Sequence, residues 1–185
     1  ETGSIHAIGE WVLRQACVDA TSWPPHVKVA VNLSPVQFRK DNSADIVANE
    51  LAESGLLPAR LELEITESVL LHGNTQNLET LRQLRELGVA IVLDDFGTGY
   101  ASLSYLRIFP FDKIKIDRSF VAELSARADS AAIVCAVAGL GRNLNIVTVA
   151  EGVETAEHFE LSRAAGCIQA QGYLFGRPCP IAELN

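Results

Sequence analysis

Two adjacent carboxylates, Asp94 and Asp95, stand where an apolar run, Val89 to Leu93, gives way to Phe96-Gly97-Thr98-Gly99-Tyr100. The run reads as a buried strand, so the pair falls at a strand end with a glycine-bearing loop behind it. Like charges that close repel, and the repulsion is relieved by protonation or by a cation. A pair able to share oxygens between divalent ions serves two-metal phosphoryl chemistry. Asp and Gly also make ordinary exposed turns, so the motif takes its meaning from what the other segments bring to it.

Those segments alternate between two periodicities. Residues 5 to 20 carry a helical stripe of Ile5, Ile8, Val12, Ala16 and Ala20, stopped by Ser22-Trp23-Pro24-Pro25. Val27 to Leu33 is a β-branched strand, and Ser34-Pro35-Val36-Gln37 is a capping box opening a helix that runs to about Ser54-Gly55. Leu61 to Thr66 alternates, with Glu62, Glu64 and Thr66 on one face. A helix with Leu78, Leu81 and Leu84 in its stripe closes at Gly88, before the strand Val89 to Asp94. A short helix near Ser102 to Leu106 and a strand Lys113 to Asp117 follow, the strand with Lys113, Lys115 and Asp117 on one side. An Ala-rich helix over Ser130 to Asn143 leads to a strand Ile146 to Ala150, which ends in Glu151-Gly152-Val153-Glu154. Thr155 caps a helix closing at Gly166, and a sixth strand, about Ile168 to Gln171, enters Gly172-Tyr173-Leu174-Phe175-Gly176.

Short apolar strands alternating with helices imply a parallel sheet, either doubly wound or a TIM-type (β/α)8 barrel. The strand ends choose between them. Each finishes in a polar group: Asn32, Glu64, Asp94, Lys115 with Asp117, Glu151 and Gln171. A doubly wound sheet gathers its ligand at one switch point, whereas a barrel with its site at the C-terminal mouth draws on every strand. The barrel is expected. Such a barrel takes eight strands and typically about 250 residues, so about two strands N-terminal to these 185 residues are expected to be missing from them.

Composition narrows the function. A formal charge of −8 argues against binding a nucleic-acid polymer or an anionic membrane through bulk electrostatics. Cys17, Cys135, Cys167 and Cys179 show no metal or disulfide spacing, which fits a reducing cytoplasm. The longest weakly polar segment, Ser130 to Gly141, is too short to span a bilayer, although a longer parent could be membrane-tethered.

Asn32, Glu64, Asp94, Asp95, Glu151 and Gln171 offer only oxygen ligands, a set that selects Mg2+, Mn2+ or Ca2+ over zinc. Two ions about 3.5–4 Å apart, with Asp94 between them, would suit in-line attack on a phosphodiester. Lys115 would orient the attacking water or stabilise phosphoryl charge. Each residue also has a plainer role open to it. Asn32 could be a turn residue, Glu64 could face solvent on a half-buried strand, and Lys115 could pair structurally with Asp117. Glu151 and Glu154 could be helix N-terminal charges. Six polar groups at the same end of six strands are what those separate roles leave unexplained.

The blocks Asn32-Leu33-Ser34-Pro35, Glu64-Ile65-Thr66-Glu67-Ser68, Asp94 to Tyr100, Lys115-Ile116-Asp117-Arg118-Ser119-Phe120, Val149 to Thr155 and Gln171 to Gly176 resemble, in order, those of the bacterial EAL domain. The resemblance spans the whole chain. It implies a barrel phosphodiesterase that opens cyclic di-GMP to linear pGpG with two Mg2+ or Mn2+ ions. By resemblance, Asn32, Glu64 and Asp94 hold the first ion, and Asp94, Asp95 and Glu151 the second. Lys115 holds the nucleophilic water, with Asp95 near enough to share the role of base. Asp117 and Gln171 sit beside the ions or one contact further out, with Glu154 in the same class of substrate-binding or supporting residues. Gly172, Tyr173 and Pro178 line the nucleotide pocket. Glu67 matches the glutamate that anchors the loop after the Asp pair, and that loop, Phe96, Gly97, Thr98, Gly99, Tyr100 and on to Ser102, couples the site to a homodimer. Ala101 stands where a serine is common in the family.

The Glu-Ala-Leu motif that names the family lies on a strand before the segment where this chain begins, and its glutamate is a ligand of the first ion. Neither that glutamate nor the arginine that usually follows it is among these residues. The parent is expected to be competent, with sensory or GGDEF-type modules upstream as an open possibility, and the 185 residues alone are expected to be impaired. Two alternatives stand beside the enzyme: a non-catalytic cyclic di-GMP receptor, and a metal-dependent barrel enzyme acting on another phosphodiester.

Overall fold

Helices and strands alternate along the chain in a computed structural model that describes residues 4–38, 42–71, 75–99 and 104–183. The six strands form a sheet in chain order, β1-β2-β3-β4-β5-β6. The chain divides into two compact units, Glu1–Lys113 and Ile114–Asn185.

In the first unit, α1 (Ser4–Thr21) buries Leu13, Cys17 and Ala20, positions that share a helical face. Arg60 secures the end of α1, donating from Nη2 to the Ala20 carbonyl at 2.7 Å and from Nε to Val27 O at 2.9 Å, so a terminal helix acceptor is satisfied. Val27 closes a turn onto Pro24 O, which is why β1 (Val29–Leu33) starts two residues later than expected. The Ser34 capping box forms: Gln37 N donates to Ser34 Oγ at 3.3 Å and Ser34 N to Gln37 Oε1 at 3.1 Å. The helix it opens does not reach Ser54. It is α2 (Pro35–Phe38), and a separate α3 (Ser43–Ser54) follows. Ser43 Oγ donates to Gln37 O at 3.0 Å, taking a carbonyl that a continuous helix would use internally. α3 closes at Gly55, φ +73°.

β2 (Leu61–Thr66) passes directly into α4 (Glu67–Leu71), a turn of helix that periodicity does not reveal. α5 (Thr75–Glu86) buries Leu81 and Leu84 and is followed by Gly88 at φ +92°. β3 (Ala90–Phe96) extends two residues past the expected end, so both carboxylates lie within the strand. α6 (Ser104–Ile108) falls later than expected, and Tyr100, Ala101 and Ser102 lie outside the described residues. β1, β2 and β3 pair in parallel. Leu61, Leu63, Ile65, Ile91 and Leu93 form the centre of the core on one side of this sheet.

β4 (Lys113–Ile116), whose first residue closes the first unit and whose remainder opens the second, ends one residue early. Asp117 leaves the strand because its carboxylate caps α7 (Arg118–Ala122), accepting from Ser119 N at 2.9 Å and from Ser119 Oγ. α8 (Ala128–Leu144) is longer than expected at its start and closes on Asn145 at φ +57°. β5 (Val147–Ala150) precedes α9 (Ala156–Ala165), capped by Thr155 Oγ1, which accepts from His158 N at 3.1 Å, and closed by Gly166 at φ +100°. β6 is only Gln169–Ala170 and pairs in parallel with β5. Among the described residues no helix is long and apolar enough to cross a membrane.

Candidate metal centre and active site

Residues opposite one another in a parallel ladder share a side of the sheet, as do residues two apart along a strand. The register aligns Ala30, Glu62 and Ala90 in one row, Asn32, Glu64 and Val92 in the next, and Thr66 with Asp94 above them. Asn32, Glu64 and Asp94 therefore occupy one face of β1-β2-β3. Asn32 and Glu64 are neighbours across about 5 Å, and Asp94 stands about 7 Å further toward the strand ends.

Burial separates the functional reading of Glu64 from the plain one. β2 is covered on both faces, and Glu64 is only 8% exposed, so the half-buried strand with a solvent-facing glutamate is not what forms. Asp94 is 9% exposed. A carboxylate at such depth is costly unless hydrogen bonds, a counter-charge or a metal ion compensates it. Asn32 lies on the exposed side of β1.

Asp95 is exposed, and its φ is +53°. Strict strand alternation would send Asp95 to the face opposite Asp94. A left-handed residue breaks that alternation and re-aims the side chain, at a cost of order 1 kcal/mol that Asp tolerates better than most residues. Two consecutive carboxylates on one strand end can serve one site only if such a break exists, and nothing in the local sequence announced it.

Glu67, the first residue of α4, is 4% exposed, and its Oε1 accepts from Gly97 N at 2.9 Å. The loop also closes on itself, with Thr98 Oγ1 donating to Asp95 O at 2.9 Å. A Cβ on Gly99 would run into the Glu67 carboxylate, so this stretch of loop lies directly against that side chain. Phe96 is buried beneath it.

The second unit brings Lys115 and Glu151 together. Lys115 is 6% exposed, its Nζ is 2.7 Å from Glu151 Oε1, and Glu151 N donates to Ile116 O at 3.1 Å. Glu151 is thus a partner of the buried lysine at the end of β5, whereas α9 takes its cap from Thr155. Gln171 threads between strand ends through its backbone, donating to Ala150 O at 2.8 Å and accepting from Val153 N at 3.0 Å, with its side chain exposed. Gly172 has φ +157° and packs on the backbone of Val153, where a Cβ would collide. Glu154, Tyr173 and Pro178 are exposed, and the guanidinium of Arg177 lies 4.4 Å from the centre of the Tyr173 ring.

Sequence reasoning passed over Glu62, on the same face as Glu64 and one row below, contacted by Lys113 at 2.8 Å and Lys28 at 3.1 Å. The alternation of Leu61, Leu63 and Ile65 already placed it there. What it lacked was any sign that the face was buried.

Comparison with known proteins matches this frame. The family model described as EAL domain covers residues 1–178, and the chain belongs to that family. It is 46% identical over 188 residues to the bifunctional diguanylate cyclase/cyclic di-GMP phosphodiesterase MucR of Pseudomonas aeruginosa, covering 100% of this chain and 27% of that protein. It is 41% identical to the cyclic di-GMP phosphodiesterase NbdA of the same organism, covering 99% of this chain and 24% of that protein. The chain thus spans about a quarter of the length of these curated relatives. Among solved structures, the MucR phosphodiesterase in complex with c-di-GMP superposes with a TM-score of 0.93 at 45% identity, over 99% of this chain and 76% of that one. A manganese/cyclic di-GMP complex of Klebsiella pneumoniae BlrP1 superposes with a TM-score of 0.87 at 32% identity, over 94% of this chain and 45% of that one. The fold is that of a TIM-type barrel, of which the described residues form six strands of the usual eight.

Proposed function

We propose that this domain hydrolyses cyclic di-GMP to linear pGpG with two divalent cations, Mg2+ or Mn2+, at the C-terminal ends of its strands. The observation that carries the reading is the row structure of β1-β2-β3, which sets Asn32, Glu64 and Asp94 on one face with both carboxylates buried. The donors fit hard cations, since amide and carboxylate oxygens dominate and no thiol or imidazole is needed. Asn32, Glu64 and Asp94 would hold one ion, and Asp94, Asp95 and Glu151 the other. When bound, such ions lower the pKa of water and neutralise charge on a phosphoryl group.

The chain's own residues supply the rest. Lys115, held at 2.7 Å by Glu151, keeps a fixed positive charge for the attacking water and the phosphoryl oxygens. Asp95 shares the role of base toward that water. Glu67 fixes the loop behind Asp95 through Gly97, and the same loop carries the coupling to a homodimer. Asp117, Glu154, Gln171, Gly172, Tyr173 and Pro178 border the dinucleotide. The site works in the cytoplasm.

The test is incubation of the full-length protein with cyclic di-GMP and Mn2+, with chromatography of the products. Linear pGpG that disappears with EDTA, and falls on the order of 10²–10³-fold in Asp94→Asn, is the expected outcome. Tight binding without product would replace the enzyme by a receptor, and turnover of other phosphodiesters in preference would reassign the substrate.

A further inference from the structure

Beneath the row that contains Asn32 and Glu64 lies a second charged assembly that the reaction does not use. Glu62 is 6% exposed, and it is flanked in register by two alanines, Ala30 and Ala90. The small neighbours leave room for two lysine arms. Lys113 donates from Nζ to Oε2 at 2.8 Å, and Lys28 makes an ion pair to Oε1 at 3.1 Å without hydrogen-bond alignment. Lys113 is largely buried, its side chain 18% exposed, while Lys28 enters from the surface.

A stability role does not by itself account for this choice. A buried carboxylate held by two ammonium groups is often no more stable than well-packed apolar side chains. Geometry suggests another consequence. Glu64 is two residues along the same strand on the same face, about 7 Å away, within the sweep of a lysine side chain. Without Glu62, the Lys113 ammonium is left within reach of a carboxylate of the metal-facing row.

We infer that Glu62 is a positioning residue that sequesters Lys113, so that the carboxylates above stay available to divalent cations. The inference rests on the proposed metal site. It differs from simple bracing of the strands in one respect: what harms the site when Glu62 is lost is the released lysine, so removing the lysine as well should repair it.

The experiment is Mn2+ binding to the full-length protein, followed by electron paramagnetic resonance of free Mn2+, with thermal melting alongside. Glu62→Gln is nearly isosteric and is expected to raise the Kd for Mn2+ at least tenfold. The double variant Glu62→Gln/Lys113→Gln is expected to return it to within threefold of the unsubstituted protein, whatever the melting temperatures do. An unchanged Kd in Glu62→Gln, or a double variant as impaired as the single one, overturns the inference while leaving the metal site standing. Failure of the unsubstituted protein to bind Mn2+ overturns the metal site itself and the inference with it.

Discussion

The bond between Glu67 and Gly97 joins the start of α4 to the loop that leaves the two aspartates, so its loss has a calculable local effect. Replacing Glu67 with Gln keeps an acceptor for Gly97 N but removes the charge, a loss of about 1 kcal/mol. Replacing it with Ala orphans the Gly97 N–H, which costs about 1–3 kcal/mol if the site stays dry. It also deletes the packed methylenes of a side chain only 4% exposed, worth about 1–2 kcal/mol more. For a domain of this size each kcal/mol moves the midpoint by about 2–4 °C. The expected falls are thus about 2–4 °C for Glu67→Gln and roughly 4–20 °C for Glu67→Ala. Scanning fluorimetry reads the midpoints, and hydrogen exchange reads the Gly97 amide, which should lose protection in Glu67→Ala with little change in the core of β2. A Glu67→Ala protein that melts with the unsubstituted one and keeps its Gly97 amide protected would refute the claim that this carboxylate holds the loop.

Gly172→Ala should be more damaging than its exposed surroundings suggest, because the added Cβ meets backbone of Val153 and cannot be relieved by a side-chain rotation. A loss of about 1–3 kcal/mol, measured by urea denaturation, is expected, and a neutral result would show that the strand-end loops separate freely. The cysteines should divide by burial. Burial raises the Cys17 and Cys167 thiols to about 11, with smaller contributions from Glu50 and Cys135 respectively. At pH 8 only about one part in a thousand of each is thiolate, so exposed Cys135 and Cys179 should be alkylated first, as peptide mass mapping over time would show. Because both folded-state values lie above the usual 9.0, their contribution to stability is complete below pH 9 and lost as pH climbs toward 11. Rising stability across that interval in a Cys17→Ser/Cys167→Ser comparison would contradict the sign.

What could be read from the residues alone was whatever short-range chemistry decides. The Ser34–Gln37 box, the Thr155 cap and the closures at Gly55 and Gly166 depend on neighbours within a few positions, and each formed as its residues dictate. Asp117 went the other way for an equally local reason: a carboxylate two residues before a serine N–H caps a helix more readily than it prolongs a strand. The errors that matter for function are of another kind. Alternation assigns Glu62 and Glu64 to a common face, yet whether that face meets water or the interior depends on elements remote in sequence. The same limit applies to Asp95, whose left-handed φ is imposed where β3 hands over to a loop secured by Glu67, thirty residues before Gly97. A strand-end pair of carboxylates is therefore a weak sign by itself. It becomes a strong one when the register on the adjoining strands delivers further oxygens to the same side and burial deprives them of water. Those two conditions are met by Asn32, Glu64 and Asp94 in register and by Glu64 and Asp94 in depth.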